Sequence, residues 1–327
     1  KRSYEYTWKR QNWFENAARE HRSIRENIGM YDMSSFGKIR IEGRDATKFL
    51  NFVAGGQYDV EIGKIVYSQF LNNAGGIEAD VTITRLTESA YLVVTPAATR
   101  LADQIWLSRN IGDFNVVITD VTFGTAQEIE IGMGLARVHR VTYVGELGWE
   151  VYVSSDQAGH IFDTLFDAGQ DLDMKLCGMH MMDSLRIEKG FRHFGHDITC
   201  EDHVLEAGLG FAVKTSKPDF IGRDAVLRKK ENGLDRRLLQ FVLNDSEPLL
   251  YHNEPILRDG ELVGHLTSGN YGHTIGAAIG LGYVPCKDET VSDILASNYE
   301  IDVAGSKIRA DVGIKPIYDP KSDRVKI

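Results

Sequence analysis

Cysteine is the rarest clue in this 327-residue chain: three residues, Cys177, Cys200 and Cys286, too few and too scattered for a disulfide framework. That points to a reducing compartment, either a bacterial cytoplasm or a mitochondrial matrix. No apolar run approaches the ~18 residues that a membrane helix needs, so no membrane is expected as a partner. Blocks of Lys and Arg are missing as well. With 37 basic against 47 acidic residues the net charge is −10, which makes nucleic acid and anionic lipid poor partners. The chain opens Lys-Arg-Ser-Tyr with neither an initiator Met nor an apolar signal region, as in a processed chain or the tail of a longer one. There is no Walker loop and no Gly-x-Ser-x-Gly. Gly132-Met133-Gly134 lacks the third glycine of a dinucleotide fingerprint, and Gly208-Leu209-Gly210 is followed by bulky residues. The chain therefore offers no flavin or dinucleotide site of its own, and an α/β-hydrolase is not expected.

What is present is ordinary globular composition, 43% hydrophobic and 26% charged, at a length of about two domains. Proline is scarce (7) and glycine abundant (32), and the glycines punctuate short alternating apolar runs, which reads as many hairpins. Helices are predicted over 12–28, 45–52, 96–107 (Thr95 as cap, Pro96 first), 155–168 (Gly169 just beyond) and 179–189, the last one buried. From residue 236 onward the pattern is strand-like, with a hairpin turn at Arg258-Asp259-Gly260. A connection near 214–219 separates an α+β body, residues 1–215, from a β-rich C-terminal part, residues 216–327.

Four groups of residues could carry chemistry. His193, His196, Cys200 and His203 could loop around a zinc ion, but their spacing matches no common zinc module, and no metal is expected. Asn72 to Gly76 reads as a hairpin turn. If it holds four residues, Tyr67, Gln69 and Asp80 share one face of the hairpin, and a one-residue slip separates them. A carboxylate so placed is a candidate acid, base or charge stabiliser, or else a solvent-facing strand residue. Gly145 and Gly148 bracket a second four-residue loop that sets Tyr143 opposite Glu150. Such a pair could hold a flat heterocycle, the ring against the phenol and paired N–H donors on the carboxylate; an ordinary hairpin with an exposed Glu fits equally. Arg186, inside the apolar 179–189 helix, needs either a carboxylate partner or an anionic ligand.

Taken in order, several long motifs carry a resemblance. They are Tyr31-Asp-Met-Ser-Ser-Phe-Gly-Lys38, Leu71-Asn-Asn-Ala-Gly-Gly-Ile-Glu-Ala-Asp80, Val144-Gly-Glu-Leu-Gly-Trp-Glu150 and Asp183-Ser-Leu-Arg-Ile-Glu-Lys-Gly-Phe-Arg192 with its extension to Asp197. Leu205–Leu209, Phe220–Ala225, Thr267–Tyr271 and Tyr318–Lys326 complete the set. Together they resemble the aminomethyltransferase family, the T-protein of the glycine cleavage system. Within it the likeness is to the C-terminal, tetrahydrofolate-binding region of sarcosine and dimethylglycine dehydrogenases. The resemblance implies an α+β cloverleaf of three subdomains around a central folate channel, the last one β-rich and barrel-like. It implies a catalytic role for Asp80 and cofactor-binding roles for Tyr67, Tyr143, Glu150, Arg186 and Tyr271.

The implied activity is oxidative N-demethylation of a methylated glycine. A flavin oxidoreductase domain, in cis or in trans, oxidises the N-methyl group, and tetrahydrofolate captures the carbon as 5,10-methylene-tetrahydrofolate. FAD is expected on an N-terminal region or partner that this chain does not supply. The alternatives are a stand-alone folate-dependent aminomethyltransferase or demethylase, and a folate-binding protein without turnover. After Thr122 the family has a further strand-and-helix stretch containing Gly-Pro, where this sequence runs directly to Phe123-Gly-Thr. An omission of residues explains that more simply than a genuine deletion.

Overall fold

The structure, a computed structural model, describes residues 3–7, 9–121 and 129–326. The junction after Thr122 lies outside the described residues. The chain divides into two compact units, one built from Lys1–Asp32, Ala126–His193 and Leu238–Ile327, the other from Met33–Thr125 and Phe194–Arg237.

The two-segment unit is organised on a five-stranded antiparallel sheet in the order Ile65–Leu71, Ile77–Arg85, Ala90–Thr95, Gly37–Glu42, Val117–Asp120. Strand alternation is plain in Gly37–Glu42, where Ile39 and Ile41 are fully buried and their neighbours are not. Helix Ala46–Val53 lays Phe49, Leu50 and Val53 on the same core as Ala79, Val81, Ile83, Tyr91 and Val93. Each of the Phe, Leu, Ile and Val side chains among them contributes about 1.5–3 kcal/mol on burial. Helix Arg100–Arg109 adds Leu107, and Trp106 stacks on Phe70 with ring centres 4.9 Å apart.

That helix starts four residues later than the sequence suggests. Pro96 to Thr99 form a turn, and the hydroxyls of Thr95 and Thr99 both donate to the Asp103 carboxylate, the latter over 2.7 Å. Thr95 is thus engaged by a side chain one turn into the helix instead of by the backbone it was expected to cap. Elsewhere in this unit Lys217, 5% exposed, donates from Nζ to the carbonyls of Asn51 (2.7 Å), Ala54 (2.6 Å) and Gly56 (2.6 Å). Those groups lie at and just beyond the C-terminal end of helix Ala46–Val53, where helix carbonyls lack intrahelical partners and the dipole favours a cation. Burial pushes the Lys217 pKa down to about 7.

The three-segment unit contains a closed six-stranded barrel, ordered Arg236–Leu243, Ala277–Pro285, Glu261–Gly272, Pro255–Arg258, Tyr299–Val303, Ser306–Gly313. Closure leaves no free sheet edge. The turn at Asp259 and Gly260 has φ of 52° and 91°, the two-residue turn that suits strand twist. Helix Met179–Glu188 is buried, as its composition predicts, and sets Ile187 against Leu238, Ile279, Leu281 and Tyr283 of the barrel. A three-stranded sheet, Ile129–Ile131, Gly134–His139 and Glu150–Val153, and helix Ala158–Gln170 belong to the same unit. That last helix runs through Gly169 instead of stopping before it, with Met174 packed where a side chain would otherwise stand. The sequence boundary at 215/216 falls inside the two-segment unit, because helix Arg223–Asn232 belongs there and the barrel begins at Arg236.

Candidate functional site

Asp80 lies on strand Ile77–Arg85, paired directly with Gln69, while Tyr67 pairs with Thr82. Opposed residues project to one face, so Tyr67, Gln69, Asp80 and Thr82 stand together on the face opposite Ala79, Val81 and Ile83. The connection holds five residues, not four. Leu71 pairs Ile77, and Glu78 is the extra residue of a bulge that restores the shared face. Asn72 shapes the turn: its Oδ1 accepts from the amides of Ala74 (3.0 Å) and Gly76 (2.9 Å), and its Nδ2 donates to the Cys200 carbonyl (3.0 Å). Gln69 is fully buried, and its Nε2 donates to Asp80 Oδ1 at 2.9 Å, fixing the carboxylate, which is partly exposed. Tyr67 is 37% exposed and stacks on the more exposed Phe211, centroids 6.1 Å apart.

The other predicted residues belong to the three-segment unit. Glu150 opens strand Glu150–Val153 and pairs with His139, not with Tyr143. The tight hairpin expected at Gly145 and Gly148 is instead an irregular loop over 140–149, so the expected Tyr143–Glu150 opposition does not form. Tyr143 donates its hydroxyl to the Arg192 carbonyl (3.0 Å) and stacks on Phe191. Glu150 accepts a short hydrogen bond from the Tyr152 hydroxyl. Burial, then Glu150, raise the pKa of Tyr152 well above the usual phenol range, and burial with Glu150 and Cys177 push Tyr31 up to about 12. His139, 4% exposed and 4.7 Å from the Tyr152 ring, is held down to about 4 by burial and by Arg137. The surroundings of Glu150 thus favour neutral neighbours beside a carboxylate. Tyr152 and His139 escaped the sequence reading because the wrong loop length put a different residue opposite Glu150.

Arg186 is 4% exposed and has protein partners: Asp183 Oδ1 (3.1 Å), the Phe191 carbonyl (3.2 Å) and Ser268 Oγ (3.0 Å). Tyr271 pairs with Ala278 in the barrel and packs edge-on against Phe14, centroids 5.0 Å apart. Sequence reasoning missed a buried ionic cluster beside them. Glu188, fully buried, accepts from Arg25 Nη2 (2.8 Å) and from the amides of Thr274 (2.8 Å) and Ile275 (3.2 Å), with His21 Nε2 at 3.5 Å. Burial alone would raise its pKa, but His21 and Arg25 outweigh that and hold it at about 2. Arg25 also reaches Glu146 (2.9 Å). The one sequence signal was His21 and Arg25 four apart on helix Phe14–Glu26, a spacing that puts both on one face.

Among the described residues, no group of three or more His, Cys, Asp or Glu side chains is placed to hold a metal ion, and no helix is long and apolar enough to cross a membrane. His203 of the histidine-rich segment accepts the Leu205 amide on Nδ1 (3.2 Å).

Fold and motifs define a class. The chain matches the GCVT N-terminal domain over residues 1–124 and 119–217, and the glycine cleavage T-protein C-terminal barrel domain over residues 236–319. It belongs to the aminomethyltransferase family, enzymes of folate-dependent one-carbon transfer. Among its relatives is 4-methylaminobutanoate oxidase (formaldehyde-forming) of Paenarthrobacter nicotinovorans, 38% identical over 99% of this chain and 43% of that protein. Human mitochondrial dimethylglycine dehydrogenase is 28% identical over 99% of the chain and 41% of its own length. The aminomethyltransferase of Halothermothrix orenii is 32% identical over 81% of the chain and 82% of its own. The crystal structure of the glycine cleavage aminomethyltransferase T of Bartonella henselae shares the fold, with a TM-score of 0.83 at 23% identity over 97% of this chain and 94% of that one. The chain spans less than half the length of the oxidase and the dehydrogenase.

Proposed function

We propose that this chain is the tetrahydrofolate-binding, one-carbon-accepting part of an oxidoreductase that demethylates an N-methylated amino acid of the sarcosine or dimethylglycine type. The observation that carries the reading is Asp80, partly exposed on a strand face and oriented by a buried glutamine. Its relatives named as an oxidase and a dehydrogenase cover this chain almost end to end, which supports the oxidative setting over the wider family role. The flavin would reside on another region or a partner.

Each unit offers groups of a kind that suits a reduced pterin, a carboxylate for N–H groups and a tyrosine ring for a flat heterocycle: Asp80 and Tyr67 in the two-segment unit, Glu150 and Tyr143 in the three-segment unit. Tetrahydrofolate, when bound, supplies the N5 and N10 nitrogens that take up the one-carbon unit. Asp80 accepts a proton from, or stabilises positive charge beside, the reacting nitrogen. Glu150, its second oxygen bonded by Tyr152, orients the ring by accepting from its amino edge. Tyr271 and Arg186 complete the proposed binding residues. Arg186 does so by holding the Phe191 carbonyl, and with it the turn on which Tyr143 rests.

The test is an anaerobic calorimetric titration with tetrahydrofolate, followed by turnover of sarcosine or dimethylglycine with the flavin oxidoreductase present. One-to-one binding and 5,10-methylene-tetrahydrofolate as product support the reading; free formaldehyde as the sole product, with or without folate, refutes it. Coverage of 82% of a stand-alone aminomethyltransferase favours a second reading, transfer from a carrier-bound aminomethyl group. Transfer from such a carrier without any flavin would establish it. A folate-binding protein without turnover is the third reading, and the retained carboxylate at Asp80 weighs against it.

A further inference from the structure

The loop at 140–149 is held from outside itself, by Arg25 and Lys189 and by several groups of one stretch of chain near the C-terminal end of the described residues. Glu146, in the middle of the loop, accepts on Oε1 from the Tyr318 hydroxyl (2.7 Å) and Arg25 Nη1 (2.9 Å), and on Oε2 from Arg324 Nε (2.7 Å). Arg25 Nη1 also takes the Val144 carbonyl at 2.7 Å, and its guanidinium lies 3.9 Å over the Tyr318 ring. Arg324 reaches back to the Arg25 carbonyl as well. Lys189, 1% exposed, donates to the Asp319 carbonyl (2.7 Å) and to Asp319 Oδ2 (3.1 Å). Its aliphatic stem runs against Gly145 so closely that a Cβ there would lie 2.2 Å from Lys189 Cγ. At the start of the loop, Arg140 Nη2 donates to the Val325 carbonyl (2.9 Å).

The holding segment has a set shape of its own. Asp319 and Ser322 adopt positive φ, 42° and 54°, and Asp319 Oδ1 accepts the Asp323 amide at 2.8 Å. We infer that residues 318–325 form a strap that fixes the 140–149 loop, and that Arg324 is a positioning residue acting through Glu146. The loop carries Tyr143 and leads directly into Glu150, so the strap sets the geometry of both. That functional consequence rests on the proposed folate role of these two residues; the strap itself does not.

Arg324 is the lever to test, because its side chain is 46% exposed and its removal leaves Glu146 with Arg25 and Tyr318. In the full chain, Arg324→Ala is expected to speed amide hydrogen exchange over residues 140–149 about 5- to 10-fold, leaving the barrel strands 236–313 unchanged. Arg324→Lys keeps the charge but not the Nε geometry and should fall between. Tetrahydrofolate affinity should drop about 5- to 10-fold in step with loop exchange. Unchanged exchange over 140–149 in Arg324→Ala overturns the strap. Faster exchange with unchanged folate affinity keeps the strap and instead removes Tyr143 and Glu150 from the folate site.

Discussion

Asp80 stands between Ala79 and Val81, whose side chains go to the buried face of the sheet, so its own carboxylate is sent to the other. Asp80→Asn keeps that shape and most of the hydrogen-bonding capacity. It should cut one-carbon transfer by ~10²–10⁴-fold while tetrahydrofolate affinity, read by calorimetry, changes little. Unchanged turnover would mean that Asp80 is not catalytic. Glu150→Ala should instead weaken folate binding by ~1.5–3 kcal/mol, as expected for a lost charged hydrogen-bond partner, and Tyr152→Phe by less. Glu188 acts on stability. Its carboxyl is held at about 2 in the folded chain against an ordinary 4.5, so its contribution is complete above pH 4.5 and is lost as the pH falls towards 2. Melting curves across that window should show an acid limb that Glu188→Gln flattens. Glu188→Ala should cost ~3 kcal/mol near neutral pH, because buried Arg25 loses one of its two carboxylate partners and the amides of Thr274 and Ile275 lose their acceptor.

Local elements differ in how much of them can be read from the chain. The turns at Asn72–Gly76 and Asp259-Gly260 announce themselves because their chemistry is local: Asn72 bonds amides two and four residues on, and Gly260 takes the positive φ the turn needs. The 140–149 loop defeats the same reasoning. Its two glycines look like the corners of a tight hairpin, but Gly145 is there for the Lys189 stem, and the groups that shape the loop lie as far away as Arg25 and Arg324. Spacing carries no trace of such partners. The start of helix Arg100–Arg109 misled in the same way, since Thr95 is an ordinary cap residue until Asp103 competes for its hydroxyl. Lys217 is another element-scale device invisible in sequence. Lys217→Met should lower stability by about 3 kcal/mol or more, because the carbonyls of Asn51, Ala54 and Gly56 stay buried without their donor. Denaturant unfolding of the variant gives the figure directly.

At the scale of the molecule, the family motifs span nearly the whole chain, and the barrel and the buried 179–188 helix follow the hydrophobic pattern well. The division into units does not, because each unit is assembled from segments that are separated in the sequence. That assembly has a consequence for the order in which the protein can be made. The two-segment unit has all its parts once Arg237 has left the ribosome. Helix Phe14–Glu26 precedes its partners by a long way in the chain: Arg25 meets Glu188 only 163 residues later and Arg324 only 299 residues later. At ~5–20 residues per second, the second interval is roughly 15–60 s. Over the first, shorter interval the helix, with Phe14, Ala17 and Ala18 on its apolar face, lacks the Glu188 carboxylate that pairs its arginine, and this unit cannot close its last contacts until Arg324 has been made.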